Sequence, residues 1–199
     1  MEKILVLASS NKDKMQEIEA IFQGLNFTIK RAIDMGEEIE VVEDQDTFEG
    51  NAILKARAYH ALYPEHYILA DDSGLAIDAL DGHPGVYSAR YGGEGADYLT
   101  KSRMLWDALR ATGVPEEEWF AQFVCAVCFW MPGESEPMVF TGEMEGRIIP
   151  EQRGEHGFGY DPIFYLDSYG KTSAEIDPEE KNKISHRGLA LAKLREYLE

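Results

Sequence analysis

The predicted elements of this chain can be arranged around one segment, residues 67–77, with the sequence YILADDSGLAI. Residues 67–70 are typical of a short buried strand, and Leu75 and Ile77 alternate with smaller neighbours as in a second strand. The four residues between them, Asp-Asp-Ser-Gly, have the composition of a turn. The segment therefore predicts two strands that flank an acidic turn.

Strands and helices alternate before this segment. Apolar runs predict strands at residues 3–8 and 27–31, and apolar residues at helical spacing predict a helix at residues 12–22. Asp46 and Glu49 resemble a capping box, which predicts a second helix that begins there.

Strands predominate after the segment. A glycine-rich loop is predicted at residues 82–95, and a helix at residues 97–111. Ser185 is a candidate N-cap for a closing helix. Three strands separated by turn signals are predicted at residues 121–130, 138–141 and 144–149. Strands and helices in this order predict an α/β fold with a mixed sheet.

Length and composition indicate a single globular domain. The chain has 199 residues, 44% hydrophobic and 28% charged, which is enough to bury a core without a disulfide or a structural metal. Cys125 and Cys128 are the only cysteines, and their spacing also occurs in redox pairs and in half of a zinc site. They lie three apart in a predicted buried strand and face opposite sides of it, which favours packing alone.

The charge balance limits the possible partners. A formal net charge of -18 makes a nucleic-acid polymer or an anionic membrane an unfavourable partner. A small polyanion is different, because lysines, backbone N–H groups and a divalent cation can hold it locally. The N-terminal residues carry no basic lead or cleavage site, and no stretch is long enough to span a bilayer, so a cytoplasmic protein is expected.

The first candidate site is the junction between the first strand and the first helix. A helix N-terminus presents unpaired N–H groups and the positive end of a dipole, and both favour phosphate. The polar residues at this junction are Ser9, Ser10, Asn11, Lys12, Asp13 and Lys14. The glycines of a Walker loop are missing, and a capped helix with exposed lysines is an equal alternative.

Adjacent carboxylates form the second candidate site. Asp71 and Asp72 at the predicted turn, with Glu43, Asp44 and Asp46 earlier in the chain, offer the oxygen ligands that magnesium prefers. Because magnesium keeps several waters, one or two carboxylates plus substrate phosphates suffice. A solvated turn is the alternative.

Two further segments carry candidate ligand-binding residues. In the glycine-rich residues 154–162, Phe158 or Tyr160 could stack on a base and Asp161 could accept hydrogen bonds. A turn packed by its own aromatic residues is the alternative. Residues 181–187 form a cationic cluster near a predicted helix start, where cations oppose the helix dipole, so an anionic or carbonyl-bearing ligand is expected there. A solvated run of charges is the alternative.

Six short motifs occur in order along nearly the whole chain. They are Ser9-x-Asn11-x-x-Lys14-x-x-Glu17, Thr47-Phe48-x-x-Asn51-Ala52-Ile53-Leu54-Lys55-Ala56, Ala70-Asp71-Asp72-Ser73-Gly74-Leu75, Pro84-Gly85-Val86-Tyr87-Ser88-Ala89-Arg90-Tyr91, Gly157-Phe158-Gly159-Tyr160-Asp161-Pro162 and Ser185-His186-Arg187. In this order they resemble the inosine triphosphate pyrophosphatase family, the non-canonical purine nucleoside triphosphate pyrophosphatases. The chain departs from that family at Gly50, where a glutamate is frequent, so no role is expected for Glu49.

The resemblance implies a fold, an assembly and a site. The fold would be an elongated mixed α/β structure with two lobes around a nucleotide-binding cleft, a single domain over residues 1–199 that forms a homodimer and uses Mg²⁺. Residues 9–14 would bind the triphosphate, and Ser73 would contact substrate. Asp72 would be the catalytic acid–base residue and a metal ligand, with Glu43 as the second metal carboxylate. The nucleobase pocket would contain Phe158, Gly159, Tyr160, Asp161, Lys181, His186 and Arg187.

The implied reaction is hydrolysis of inosine, deoxyinosine and xanthosine triphosphates to the monophosphate and pyrophosphate. Asp72 would orient or deprotonate the attacking water, and Lys14 would stabilise charge on the leaving group. The alternatives are a non-catalytic nucleotide sensor and a hydrolase of similar fold that acts on other nucleotides.

Overall fold

The computed structural model describes residues 3–36, 39–93 and 95–199. The helices among them are α1 (Lys12–Ile21), α2 (Phe48–Leu62), α3 (Tyr98–Thr112), α4 (Pro178–Ile184) and α5 (His186–Leu198). The strands are β1 (Lys3–Leu7), β2 (Phe27–Arg31), β3 (Tyr67–Ile77), β4 (Phe120–Trp130), β5 (Met138–Ile148), β6 (Phe164–Leu166) and β7 (Lys171–Thr172). No helix of this described part is both long enough and apolar enough to cross a membrane.

The strands form a seven-stranded mixed sheet in the order β2-β1-β3-β4-β5-β6-β7. β1 pairs in parallel with β2 and with β3, so that Leu5 lies opposite Ile29 on one side and Tyr67 on the other. Parallel neighbours need a crossover connection, which α1 supplies between β1 and β2. β6 pairs antiparallel with both β5 and β7. The predicted α/β class with a mixed sheet is confirmed.

The chain divides into two compact units. The first consists of Met1–Asp72, Cys125–Gly142 and Arg187–Glu199, and the second consists of Ser73–Val124 and Glu143–His186. The chain passes from the first unit to the second within β3, between the two halves of the segment that the sequence singled out.

The core of the first unit has two clusters, because successive strand residues face opposite sides. Leu69 of β3 belongs to a cluster with residues of α1 and α5, and its neighbour Ala70 belongs to a cluster with residues of α2. Cys125 and Cys128 are free, fully buried and divided between these two clusters. Burial raises the pKa of both thiols to about 12, and the predicted packing role is confirmed.

The core of the second unit lies under α3. Leu105 and Leu109, four residues apart on one face of that helix, are fully buried in a cluster with Leu75 and Ile77 of β3. Asp97 caps the helix N-terminus by accepting from the backbone N–H of Thr100 at 2.7 Å. The helix predicted at residues 97–111 is therefore confirmed to within one residue at each end.

Three local predictions were wrong. Residues 71–74 form no turn but lie inside β3, which runs unbroken for 11 residues. Gly142 likewise lies inside β5, because glycine is as permissive in an extended strand as in a turn. The N-cap of α2 is Thr47, whose side-chain oxygen accepts from the backbone N–H of Gly50 at 3.0 Å, and Asp46 does not take that place. Residues 82–95 do contain a loop, with a 3-10 turn at Gly85–Arg90, while Glu94 lies outside the described residues.

Gly154 lies where two backbone segments approach closely. It has a φ of +91°, and a Cβ at this position would overlap the backbone of Ala174. The two backbone N–H groups that follow it, those of Glu155 and His156, both donate to the Ala174 carbonyl, at 3.1 and 2.9 Å. A side chain at Gly154 would therefore have to displace these hydrogen bonds.

We expect Gly154→Ala to lower the free energy of unfolding more than Gly133→Ala does. Both glycines have positive φ, +91° and +82°, so both substitutions carry a backbone strain of about 1–2 kcal/mol. Nothing lies within 4 Å of an added Cβ at Gly133, whereas the overlap at Gly154 adds about 1–3 kcal/mol. Urea unfolding of the two variants measures the difference, and equal losses would contradict the close approach.

Candidate active site

Asp71 lies at the centre of a buried group of charges in the first unit. Its side chain is 2% exposed. Lys14 Nζ donates to its Oδ1 at 3.0 Å, and Arg187 Nε donates to its Oδ2 at 3.3 Å. Burial alone would raise the pKa of Asp71, but the charges of Lys14, Arg187 and Lys55 hold it well below its ordinary value. Asp71 is therefore ionised and fixes one cation on α1 and another on α5.

Glu17 completes this group. Arg187 Nη1 donates to Glu17 Oε2 at 2.5 Å, and the Arg187 side chain is 3% exposed. Burial alone would lower the pKa of Arg187, but the charges of Asp71 and Glu17 raise it above its ordinary value. Sequence reasoning assigned no role to Glu17, although its position three residues after Lys14 places both on one face of α1.

Asp72 has a different environment from its neighbour. Asn51 Nδ2 donates to Asp72 Oδ2 at 2.9 Å, and the residue is 7% exposed. Burial raises the pKa of Asp72 above its ordinary value, although the positive charge of Lys55 and the hydrogen bond from Asn51 oppose that rise. A buried carboxylate with a raised pKa is a better proton acceptor near neutral pH than an ordinary surface carboxylate.

Two residues of α2 that sequence reasoning quoted but did not use act on Asp72, Asn51 through a hydrogen bond and Lys55 through its charge. Asn51 and Lys55 are four apart on that helix and so share a face. Lys55 Nζ lies 2.5 Å from Glu43 Oε1, and the Asn51 side-chain oxygen accepts from the backbone N–H of Gln45 at 3.0 Å. Their spacing within the second motif was the signal that could have identified them.

Glu43 and Asp72 fit the ligand chemistry of a hard divalent cation. The negative charge of Glu43 contributes to the raised pKa of Asp72, after the larger effect of burial, so a cation would relieve a repulsion between the two carboxylates. Asp44 and Asp46, the alternatives to Glu43, are exposed. Among the described residues no three His, Cys, Asp or Glu side chains gather to hold an ion. Magnesium needs only one or two carboxylates when phosphates supply further oxygens.

The N-terminus of α1 is capped from within the chain. The Asn11 side-chain oxygen accepts from the backbone N–H groups of Asp13 and Lys14, at 2.9 and 3.3 Å. The Ser9 hydroxyl oxygen accepts from the backbone N–H of Asn11 at 3.2 Å. The structure thus has the capped helix that was the alternative interpretation, and phosphate binding at residues 9–14 stays a prediction.

A buried ion pair lies beside the glycine-rich loop of the second unit. We call residues 157–162 the glycine loop. Lys181 Nζ lies 2.7 Å from Asp161 Oδ2, and both side chains are at least 94% buried. The backbone N–H of Phe158 donates to the same oxygen at 2.8 Å. Only glycine fits at position 157, because a Cβ there would overlap Asp161 Oδ2.

The cationic residues 181–187 are not all at a helix start. Lys181 and Lys183 lie in the last turn of α4, where a positive charge is favourable, so the dipole argument was wrong for them. His186 and Arg187 begin α5, directly after Ser185, as predicted. The His186 ring stacks on Phe123 with centroids 4.9 Å apart. Lys181 of this cluster therefore pairs with Asp161, whereas Arg187 pairs with Asp71 and Glu17.

Three further predicted substrate-binding residues are buried or half-buried. Tyr160 is 3% exposed, and its hydroxyl donates to the backbone carbonyl of Ser88 at 2.7 Å. Gly159 has a φ of +68°, and a Cβ there would lie 3.6 Å from the ring of Tyr98. Ser73 is half-buried within β3. Sequence reasoning did not anticipate the contact between Tyr160 and Ser88, which lie 72 residues apart.

Comparison with known proteins covers nearly the whole chain. A model of the Ham1 family matches residues 5–197. A dITP/XTP pyrophosphatase of Geobacter sulfurreducens is 47% identical over 98% of this chain and 96% of its own. A dITP/XTP pyrophosphatase of Bacillus subtilis is 44% identical over 99% of this chain and 98% of its own.

Solved structures agree with these sequence matches. A HAM1 protein from Coxiella burnetii has a TM-score of 0.89 at 39% identity, with 98% of each chain covered. A dITP/XTP pyrophosphatase from Mycobacterium abscessus has a TM-score of 0.76 at 37% identity, with 98% of this chain and 100% of that chain covered.

We expect Asp71→Asn to lower the free energy of unfolding by about 3–5 kcal/mol, because it leaves the Lys14 and Arg187 charges without their shared carboxylate. Urea unfolding measures this loss. The matched control is Asp167→Asn, which breaks an exposed pair with Arg147 at 3.0 Å and should cost at most about 1 kcal/mol. Similar small losses in both variants would contradict the central place of Asp71.

Proposed function

The chain belongs to the Ham1 family, and we propose that it hydrolyses inosine, deoxyinosine and xanthosine triphosphates to the monophosphate and pyrophosphate, which cleanses the nucleotide pool. The family membership expected from the six motifs is confirmed. The observation that carries the proposal is the unequal pair of adjacent carboxylates. Cations hold Asp71 ionised, whereas Asp72 contacts an amide and has a raised pKa.

Asp72 is the proposed base. A carboxylate whose pKa lies closer to neutrality accepts a proton from water more readily, and Asn51 holds one of its oxygens in place. A non-catalytic nucleotide sensor would have no use for such a group, because negative charge beside a triphosphate weakens binding. The environment of Asp72 therefore favours an enzyme over a sensor.

Glu43 and Asp72 are the proposed ligands of a magnesium ion. When bound, such an ion neutralises phosphate charge and lowers the pKa of a coordinated water. Lys55 is paired with Glu43 in the structure and would keep the two carboxylates ionised for this purpose. Support for the ion comes from their mutual repulsion and from the small ligand set that magnesium accepts from protein.

Lys14 is the proposed phosphate ligand with the strongest structural support. An ammonium group has three N–H donors, so Lys14 can keep its contact with Asp71 and still donate to a phosphate oxygen. Asp71 would thereby orient the ammonium group without taking up all of its N–H donors. The other proposed contacts to the triphosphate are Ser9, Ser10, Asn11, Lys12 and Asp13, with Ser73 as a further substrate contact.

The pair formed by Lys181 and Asp161 is the proposed recognition element for the base. Hypoxanthine and xanthine present a C6 carbonyl and an N1–H, which match an ammonium donor and a carboxylate acceptor. Adenine presents an amino group at C6, so donors would be left unsatisfied at a cost of roughly 1–3 kcal/mol each. Guanine shares the C6 carbonyl, so its exclusion has to come from the C2 side. Phe158, Gly159 and His186 are proposed to complete the pocket, with Tyr160 as a support of its wall.

Arg187 is also a proposed contact to the base. At least two of its five N–H donors are committed to Asp71 and Glu17. A base contact from Arg187 would therefore use its other donors or follow the loss of one carboxylate partner.

Three further properties are proposed on the resemblance. Residues 1–199 would act as one functional domain, which the single family match over residues 5–197 supports. The protein would be cytoplasmic and would form a homodimer, a state that light scattering on the purified protein would detect.

We expect Asp72→Asn to lower kcat for inosine triphosphate by ~10²-fold or more, because the variant lacks the base and one metal charge. Pyrophosphate release with magnesium present measures this. The free energy of unfolding should change far less than in Asp71→Asn, so the two adjacent positions separate catalysis from stability. A variant that keeps more than a tenth of the wild-type kcat would contradict the assignment.

We expect inosine and xanthosine triphosphates to exceed ATP and GTP in kcat/KM by at least ~10²-fold. Lys181→Met should reduce the preference over ATP, because it removes the donor that a C6 carbonyl satisfies. The matched control is Lys183→Met, an exposed lysine on the same helix. If Lys181→Met slows every nucleotide by one factor, the lysine does not recognise the base.

A further inference from the structure

The fourth motif, residues 84–91, has no part in the reaction proposed above, yet it is tied tightly into the second unit. Its residues Gly85–Arg90 form a 3-10 turn. The Ser88 side chain, 5% exposed, accepts from the backbone N–H of Leu75 at 2.8 Å and donates to the Gly85 carbonyl at 2.6 Å. This serine thus fixes the turn to β3.

The backbone carbonyl of Ser88 accepts the hydroxyl of Tyr160 at 2.7 Å, a contact between two buried residues. Burial raises the pKa of the Tyr160 hydroxyl, which therefore stays protonated and able to donate. Tyr160 adjoins Asp161 in the glycine loop. A fixed Tyr160 hydroxyl consequently limits where the Asp161 carboxylate can lie.

A second set of contacts links the same turn and the same loop. Lys101 Nζ donates to the Ala89 carbonyl at 2.5 Å, and it lies 4.4 Å from the centroid of the Tyr98 ring. The Tyr98 ring in turn meets Tyr160 edge to face, with centroids 5.2 Å apart. A Cβ at Gly159 would lie 3.6 Å from the Tyr98 ring. The first turn of α3 therefore supports the glycine loop from the side.

The glycine loop needs such support. Gly157 and Gly159 have positive φ values, +73° and +68°, on either side of Phe158. Glycine loses more conformational freedom on ordering than any other residue, so a loop with two of them costs affinity if it is ordered only when a ligand binds. An anchor that orders the loop in the free protein removes that cost.

We propose that Tyr160 is a positioning residue for nucleobase recognition, which it serves by anchoring the glycine loop to the Ser88 carbonyl and so fixing the Asp161 and Lys181 pair. Tyr160 acts through that pair and does not stack on the base. The proposal rests on the proposed function, because it assigns base recognition to Asp161 and Lys181.

Tyr160→Phe tests the anchor, because it removes only the hydroxyl. We expect KM for inosine triphosphate to rise roughly fivefold to tenfold, as for the loss of one buried hydrogen bond, with a smaller change in kcat. The preference for inosine triphosphate over ATP should fall. The inhibition constant of inorganic tripolyphosphate, which has no base, should not change. The matched control is Tyr165→Phe, which also removes only a hydroxyl. Tyr165 lies on β6, outside the glycine loop, and packs on Arg147 and Arg153.

A double-mutant cycle separates positioning from a general loss of stability. Ser88→Ala keeps the backbone carbonyl that Tyr160 contacts but releases the turn from β3. If the two residues act through one anchor, their effects on KM for inosine triphosphate should be clearly less than multiplicative in the double variant. Multiplicative effects, or an equal loss of tripolyphosphate affinity and of activity on every nucleotide, would overturn the proposal.

Hydrogen exchange provides a readout that does not need activity. The backbone N–H of Phe158 is bonded to Asp161 within the glycine loop, so its exchange reports on the order of the loop. Tyr160→Phe should accelerate that exchange by about the same factor as KM rises. Unchanged exchange would overturn the anchor even if the wild-type protein hydrolyses inosine triphosphate. A wild-type protein that releases no pyrophosphate from it, with exchange accelerated in the variant, would instead contradict the proposed function.

Discussion

The first unit depends on one buried carboxylate, that of Asp71. It joins β3 to α1 through Lys14 and to α5 through Arg187, whose side chain also reaches Glu17. Ion pairs at this depth are costly to desolvate, and the cost is recovered only when every partner is present. Because side chains alternate along β3, Asp72 lies on the opposite side of the sheet, where Asn51 of α2 donates to it. Two chemically identical neighbours thereby receive opposite pKa shifts.

Much of the fold, and the residues that surround Asp71, could be predicted from the sequence. Glycine and proline signals gave α3, and an apolar run gave β2, within a residue of their true bounds. The six motifs contained Asp71 and its partners Lys14, Arg187 and Glu17. The continuity of β3 could not be predicted, because adjacent aspartates are typical of a turn unless cations elsewhere in the chain neutralise them. Arg187, which does so, lies 116 residues away. Pairings at that separation follow from the tertiary structure and leave no local signal.

The same limit explains why residue roles were harder to predict than residue identities. Lys14 and Lys181 were expected to bind a ligand, and no partner within the protein was predicted for either. Each contacts a carboxylate in the structure. Tyr160 was expected to face a base, yet its hydroxyl is bound to Ser88. In a chain with a net charge of -18, a buried cation without a partner would be unusual. Carboxylates also hold these cations in fixed positions, which is an advantage for binding when spare N–H donors remain.

The two units differ in the charge of the residues that are proposed to contact a nucleotide. In the first unit the interacting groups are the carboxyl groups of Glu17, Glu43, Asp71 and Asp72 and the cations Lys14, Lys55 and Arg187. Four carboxyl groups against three cations leave no excess of positive charge, so in the proposed function a triphosphate would bind there together with a further cation. In the second unit Asp161 and Lys181 neutralise each other. In the proposed function this pair would present a donor and an acceptor at fixed positions, which is the requirement for distinguishing uncharged purines by their hydrogen-bonding pattern.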